Sequence, residues 1–103
     1  MSVSNVNANS APQGANGEKQ LAAGHHLAMR LWEDEQPGEP KPATHRPYET
    51  VGYVLKGRAE LHIEGQIILL EPGSSYLVPQ GAGHTYKILE TFSAVEAITI
   101  VNE

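Results

Sequence analysis

His84 is the residue of this chain whose type and setting point most directly to chemistry. An imidazole exchanges a proton near neutral pH and ligates divalent metals through either ring nitrogen. It closes the stretch PGSSYLVPQGAGH, residues 72–84. Pro72-Gly73 is a turn pair, one residue presetting a dihedral and the other supplying a positive φ. Ser75 to Val78 reads as a short strand, which Pro79 ends because it cannot donate to a ladder. Gly81 and Gly83 then let the backbone bend into the next strand. There His84, Tyr86 and Ile88 alternate with Thr85 and Lys87, so the imidazole shares the apolar face and points inward, with Tyr86 as a pocket-lining neighbour.

The other titratable candidates carry weaker signals. His62 lies between Glu60 and Glu64 on the polar face of its strand and reads as a surface residue. Of the neighbours His25 and His26, a strand turns at most one inward. Glu96 shares parity with Phe92, Ala94, Ile98 and Ile100; it is either a buried carboxylate in need of a partner or, the commoner case for a single charge in a terminal strand, a rim residue. No nucleophile–base pair, phosphate loop or nucleotide fingerprint occurs, which leaves hydrolases and kinases without support.

The elements that must position these groups are short and β-like. Residues 26–32 alternate Leu27, Met29 and Leu31 against His26, Ala28, Arg30 and Trp32, which sets Trp32 outward as a dimer-contact residue. A loop rich in proline and charge spans 33–47. A strand over 49–55 closes at a Lys56-Gly57 turn. Residues 58–64 then alternate cleanly, and Glu64-Gly65 makes a hairpin into the apolar run 66–70. Strands over 75–78, 84–89 and 92–101 follow, with Tyr53 and Tyr76 read as packing residues between layers or at an interface. About seven or more antiparallel strands joined by tight turns predict an all-β protein, a single small barrel without repeats.

Composition sets the bounds. The chain has 103 residues, enough for one domain. Residues 1–18 are Asn, Ser, Ala, Gly and Pro with almost no large apolar side chain, and are expected to be a disordered tail ahead of a folded domain at 19–103. That tail does not read as a secretory signal, and no run reaches membrane-spanning length. There is no cysteine, so disulfides and thiolate zinc sites are out and a cytoplasmic setting is expected. A net charge of −5 with scattered Lys and Arg argues against a nucleic-acid surface.

The spacing Gly73, five residues, Pro79, one residue, Gly81, two residues, His84 resembles the second motif of the cupin superfamily, although Ile88 stands where that motif ends in asparagine. THRPYETVGYVLKGRAELHIEG, residues 44–65, resembles the first motif, best over Tyr53 to Gly57 and the strand after it. The two cover residues 43–88. The resemblance implies a jelly-roll β-barrel around a cavity, in which the motif histidine is one of four metal ligands. The first motif runs His, one residue, His, three or four residues, Glu, six residues, Gly. Anchored on Gly57, it puts Thr50 in the glutamate place and either Ala43 and His45 or Thr44 and Arg46 in the histidine places.

Two readings of the site follow. If a one-residue bulge turns Glu49 inward, His84, His45 and Glu49 form a two-histidine, one-carboxylate set suited to Fe(II), Mn(II), Ni(II) or Zn(II). The protein is then a metal-dependent, oxygenase- or isomerase-like enzyme acting on a small polar molecule, with Tyr86 or Thr50 hydrogen-bonding substrate. Alternatively the metal site has been lost, His45 and Arg46 line the mouth and take an anion, and the barrel is a non-catalytic sensor or binder. Either way the expected partners are a small molecule and a second copy of the chain, since small cupins commonly form homodimers, and neither nucleic acid nor membrane.

Overall fold

The computed structural model describes residues 5–101. Its strands are β1 (Lys19–Ala23), β2 (Leu27–Glu35), β3 (Thr50–Ile63), β4 (Gln66–Leu70), β5 (Ser75–Val78) and β6 (His84–Thr99), all paired antiparallel. Of the segment 1–18, residues 5–18 carry a single 3-10 turn at Ala8–Ser10. They are bonded internally, from Gly14 N–H to the Glu18 carbonyl (2.7 Å), and to the first strand, whose Gln20 N–H donates to the Pro12 carbonyl (2.8 Å).

β3 and β6 run side by side for their whole length, from Thr50↔Ile98 to Ile63↔His84. Each belongs to two sheet halves. In one half, β1, β2, the C-terminal part of β6, the N-terminal part of β3 and β5 lie in that order. In the other, the remaining parts of β6 and β3 pair with each other and with β4. One core cluster joins the halves: Val54, Tyr76, Val78, Phe92 and Ala94 from the first, Ala59, Leu61, Ile63 and Leu70 from the second. A sheet folded back on itself around a shared core is the jelly-roll solution to burying one face of every strand.

The fold sits on fewer, longer strands than the turn signals suggest. Lys56-Gly57 does not reverse the chain; it is part of a run of register shifts between Val54 and Ala59 at which β3 bends and continues. The expected strands over 84–89 and 92–101 likewise merge into β6, while β1 is an addition. Gly57 explains the difference. Its φ is +81°, a conformation glycine adopts without steric penalty, and a Cβ there would lie 2.0 Å from the Thr91 carbonyl oxygen. So the two long strands approach each other at the bend through backbone alone. By contrast Glu64 (φ 46°) and Gly65 (φ 75°) do form the expected two-residue hairpin.

The side-chain alternation of β2 is inverted relative to expectation, while that of β3 is as expected. Leu27, Met29, Val51, Tyr53, Leu55 and Leu77 are exposed on the outside, and Arg30, Trp32 and Thr50 face in. Trp32 is therefore an inner residue, contrary to the outward placement that its apolar neighbours suggest. Gly57→Ala is expected to cost more than about 2 kcal/mol, since it combines a left-handed Cβ penalty with a backbone clash. Urea denaturation against the parent measures it; a loss below half that value would mean the bend tolerates a side chain.

Candidate functional site: a polar cavity between the sheet halves

The inward residues of the first half and the His84 face of the second enclose a cavity of about 430 Å3. That is within the range of small-molecule sites. Trp32, Tyr76, Tyr86 and Phe92 supply apolar wall, while Arg30, Glu96, Tyr48 and His84 supply the polar groups.

Glu96 anchors the cavity. It is 3 % exposed, so the rim position favoured from sequence is corrected: it pairs in register with both Arg30 on β2 and Gly52 on β3, in the middle of its half-sheet. Its Oε1 accepts from Arg30 Nε (2.7 Å) and Trp32 Nε1 (2.8 Å), and its Oε2 accepts from the Tyr76 hydroxyl (2.6 Å). A buried carboxylate persists only when paired and hydrogen-bonded in this manner. Tyr76 reaches it because Gly52 leaves room: a Cβ at 52 would lie 2.2 Å from the phenol ring. Tyr76 is thus a site residue as well as a packing one.

Arg30 is held on three sides. Besides Glu96, it donates from Nη1 to the Tyr48 hydroxyl (3.2 Å), and its guanidinium carbon lies 5.4 Å from the Trp32 ring centroid and 5.5 Å from that of Tyr48, within cation–π range. Burial works against its charge, but Glu96 and the Tyr48 hydroxyl outweigh it and raise its pKa further. Burial, reinforced by the Glu96 charge, pushes the phenols of Tyr76 and Tyr86 well above their usual range, so both are hydroxyl donors at neutral pH. Glu35, at the same cavity, is raised mainly by burial, with Lys41 opposing.

His84 borders the cavity from the start of β6, its ring edge-on to Tyr86 at 5.8 Å. Nδ1 lies 3.0 Å from the Ala82 carbonyl oxygen, which requires the proton on Nδ1 and leaves Nε2 to accept. Nε2 has no protein partner among the described residues and is not sealed from solvent.

The structure brings His84, Tyr86, Thr50 and Arg46 to one cavity and leaves His45 and Glu49 off it. The reason is alternation along the segment leading into β3, where Thr44, Arg46, Tyr48 and Thr50 line the cavity and the residues between them do not. The chain at Thr44 pairs with His84, N–H to carbonyl in both directions at 2.9 and 2.8 Å, and the Arg46 carbonyl takes the Gly81 N–H at 2.8 Å. Thr44 and Arg46 then line the cavity, and His45 between them is exposed. Thr50 opens β3 facing in and is buried, so Glu49 is exposed; its backbone is tied to Thr99 instead. No bulge turns the carboxylate inward.

A three-donor metal set of His84, His45 and Glu49 is therefore not assembled, and among the described residues no three His, Cys, Asp or Glu side chains gather to hold an ion. Among the described residues the one buried carboxylate beside this cavity, Glu96, has both oxygens engaged. The residues present do not fit the metal centre that the motif implies.

The cupin domain family model matches residues 31–101, more than half of the chain, and the protein belongs to that family. Its fold is similar to that of an RmlC-like cupin from Shewanella frigidimarina, with a TM-score of 0.82 at 18 % identity over 99 % of this chain and 95 % of that one. KdgF from Halomonas sp. is similar with a TM-score of 0.75 at 20 % identity, over 100 % of this chain and 97 % of that one. In sequence, an uncharacterized protein of Aquifex aeolicus is 35 % identical over 57 residues, 55 % of this chain. The match spans 47 % of that relative's length.

If Glu96 organises the cavity, Glu96→Leu leaves Arg30, the Trp32 N–H and the Tyr76 hydroxyl without their acceptor. The expected loss is about 3–5 kcal/mol in chemical denaturation, the cost of breaking a buried ion pair by removing one member. A loss under about 1 kcal/mol would show that the network contributes little.

Proposed function

We propose that this protein is a small-molecule-binding cupin whose ligand, a small polar molecule, sits in the cavity between the sheet halves. The observation that supports it is the coexistence of a roomy cavity with a buried, fully paired Glu96 network on one wall and an unpartnered imidazole Nε2 on the other. A core built for packing alone has little use for that much oriented polarity, which is costly to bury. Binding without a protein-held metal is favoured over an oxygenase- or isomerase-like metalloenzyme, because Thr44, Arg46 and Thr50 stand at the cavity where metal-ligating side chains would be needed. His84 Nε2 and the Tyr86 hydroxyl are the groups offered to the ligand, one accepting and one donating.

A thermal-shift screen of small polar molecules tests this, since a ligand that binds only the native state raises its midpoint by mass action. At least one compound is expected to give a dose-dependent rise that survives chelation by EDTA. That rise should disappear in His84→Ala and persist in His62→Ala, whose side chain is paired with Glu60 away from this cavity. Loss of all shifts on chelation, or shifts indifferent to His84, would refute the reading.

We also infer a homodimer that uses the outer face of the larger half-sheet. Val51 lies between Leu77 and Ala97, and Tyr53 beside Val95, which in turn adjoins Leu31; Leu27, Met29, Val51, Tyr53, Leu55 and Leu77 are each 44–59 % exposed. An apolar face continuous over four strands suits the centre of a standard interface of about 800 Å2 per partner, and a second copy presents the same face by two-fold symmetry. Sedimentation at micromolar concentration should give a dimer for the parent and a monomer for Val51→Lys. A monomeric parent would end the inference.

A further inference from the structure

We infer that the cavity is selective for a monocarboxylate with an apolar body, the carboxylate being received by Arg30; this rests on the proposal that the cavity binds a small molecule. Arg30 offers what a free arginine does not. Nε is fixed by Glu96 at 2.7 Å and Nη1 by the Tyr48 hydroxyl at 3.2 Å, and the Trp32 and Tyr48 rings both lie within 5.5 Å of the guanidinium carbon. Nη2 has no protein partner among the described residues, yet it is not a sealed, unsatisfied atom. It is open on a side chain that borders the cavity. The guanidinium plane is thus set before any ligand arrives, and its Nη2 amino group is the donor left for one. An anionic oxygen is the acceptor that such a charged N–H group binds most strongly.

The surroundings restrict the class further. The cavity wall carries three cations (Arg30, Lys41, Arg46) and three carboxylates (Glu35, Glu39, Glu96), so no surplus of positive charge favours a dianion. Glu96 already offsets the Arg30 charge at 2.7 Å, which a singly charged carboxylate tolerates better than phosphate does. Trp32, Tyr76, Tyr86, Val78, Ile88 and Phe92 make the rest of the wall apolar or aromatic, suited to a hydrocarbon or aromatic body.

Trp32 is the only tryptophan of the chain and touches both the cavity and Glu96, so its selectively excited fluorescence reports occupancy. Benzoate, benzamide and inorganic phosphate are titrated against the parent protein. Benzoate is expected to bind at least about tenfold more tightly than its neutral isostere, as a charge-assisted pair should, and phosphate to bind more weakly than benzoate. The tenfold preference should vanish in the double variant Arg30→Met/Glu96→Gln, which removes both charges together, and shrink in Arg30→Lys, whose single nitrogen is drawn to Glu96 and leaves no second amino group for the ligand. Benzamide binding as well as benzoate, phosphate binding more tightly, or a preference unchanged in Arg30→Lys would overturn the inference while leaving a small-molecule cavity standing. If none of the three probes binds, the inference falls; the cavity reading then falls with it only if the wider screen is also silent.

Discussion

The Glu96 carboxylate is the constraint around which the interior is arranged. A buried charge must be answered by donors, and here Arg30 and Trp32 from β2 and Tyr76 from β5 converge on it. Those donors come from strands on both sides of the β3–β6 pair, so satisfying one carboxylate fixes the relative placement of four strands. Gly52 is the complement of this arrangement: only a residue without Cβ lets the Tyr76 ring lie close enough to reach Glu96. The same donors that neutralise Glu96 make up much of the cavity wall. Stability and recognition therefore draw on a single set of atoms.

The fold class was legible in the sequence because turn chemistry and strand alternation are local. Pro72-Gly73, Glu64-Gly65 and the alternation from His84 to Ile88 each carry their meaning within a few residues. Gly57 did not, since a glycine with positive φ serves equally in a reversal or in a bend, and only the approach of Thr91 from a distant part of the chain decides which. The inner face of β2 is hidden from the sequence for a related reason. Leu27, Met29 and Leu31 look like a core stripe, yet a barrel with a polar hollow sends Arg30 and Trp32 inside and leaves much of the apolar row for the outer surface. One signal could have exposed this: Arg30, Trp32 and Glu96 are the groups that most need burial partners if any of them is inside, and all three are hydrogen-bonding complements.

The site shows how a motif can keep its geometry and change its chemistry. His84 lies at the cavity wall, as its motif implies. The positions that would contribute further metal donors are present at the same wall but occupied by Thr44, Arg46 and Thr50. His45 and Glu49 have suitable side chains but alternate with the cavity-lining residues and are exposed. Counting donor residues near a motif thus overstates a metal site unless the strand phase is also known. The family membership carries the fold to this chain, while the residues that meet in its cavity set what that fold holds.

Because β3 and β6 each traverse both half-sheets, neither half exists as an independent unit. Each wall shares its two central strands with the other, so the walls are joined by continuous backbone at the bend as well as by side-chain packing. The segment between β2 and β3 supplies Gln36, Gly38, Lys41 and Thr44 to the cavity lining and is tied to β6 at separate points, by the Thr44–His84 bridge, the Gly38 N–H to the Ile88 carbonyl and the Thr85 hydroxyl to the Lys41 carbonyl. That side of the hollow is thus covered by a connecting segment pinned at intervals, where the other walls are continuous ladders.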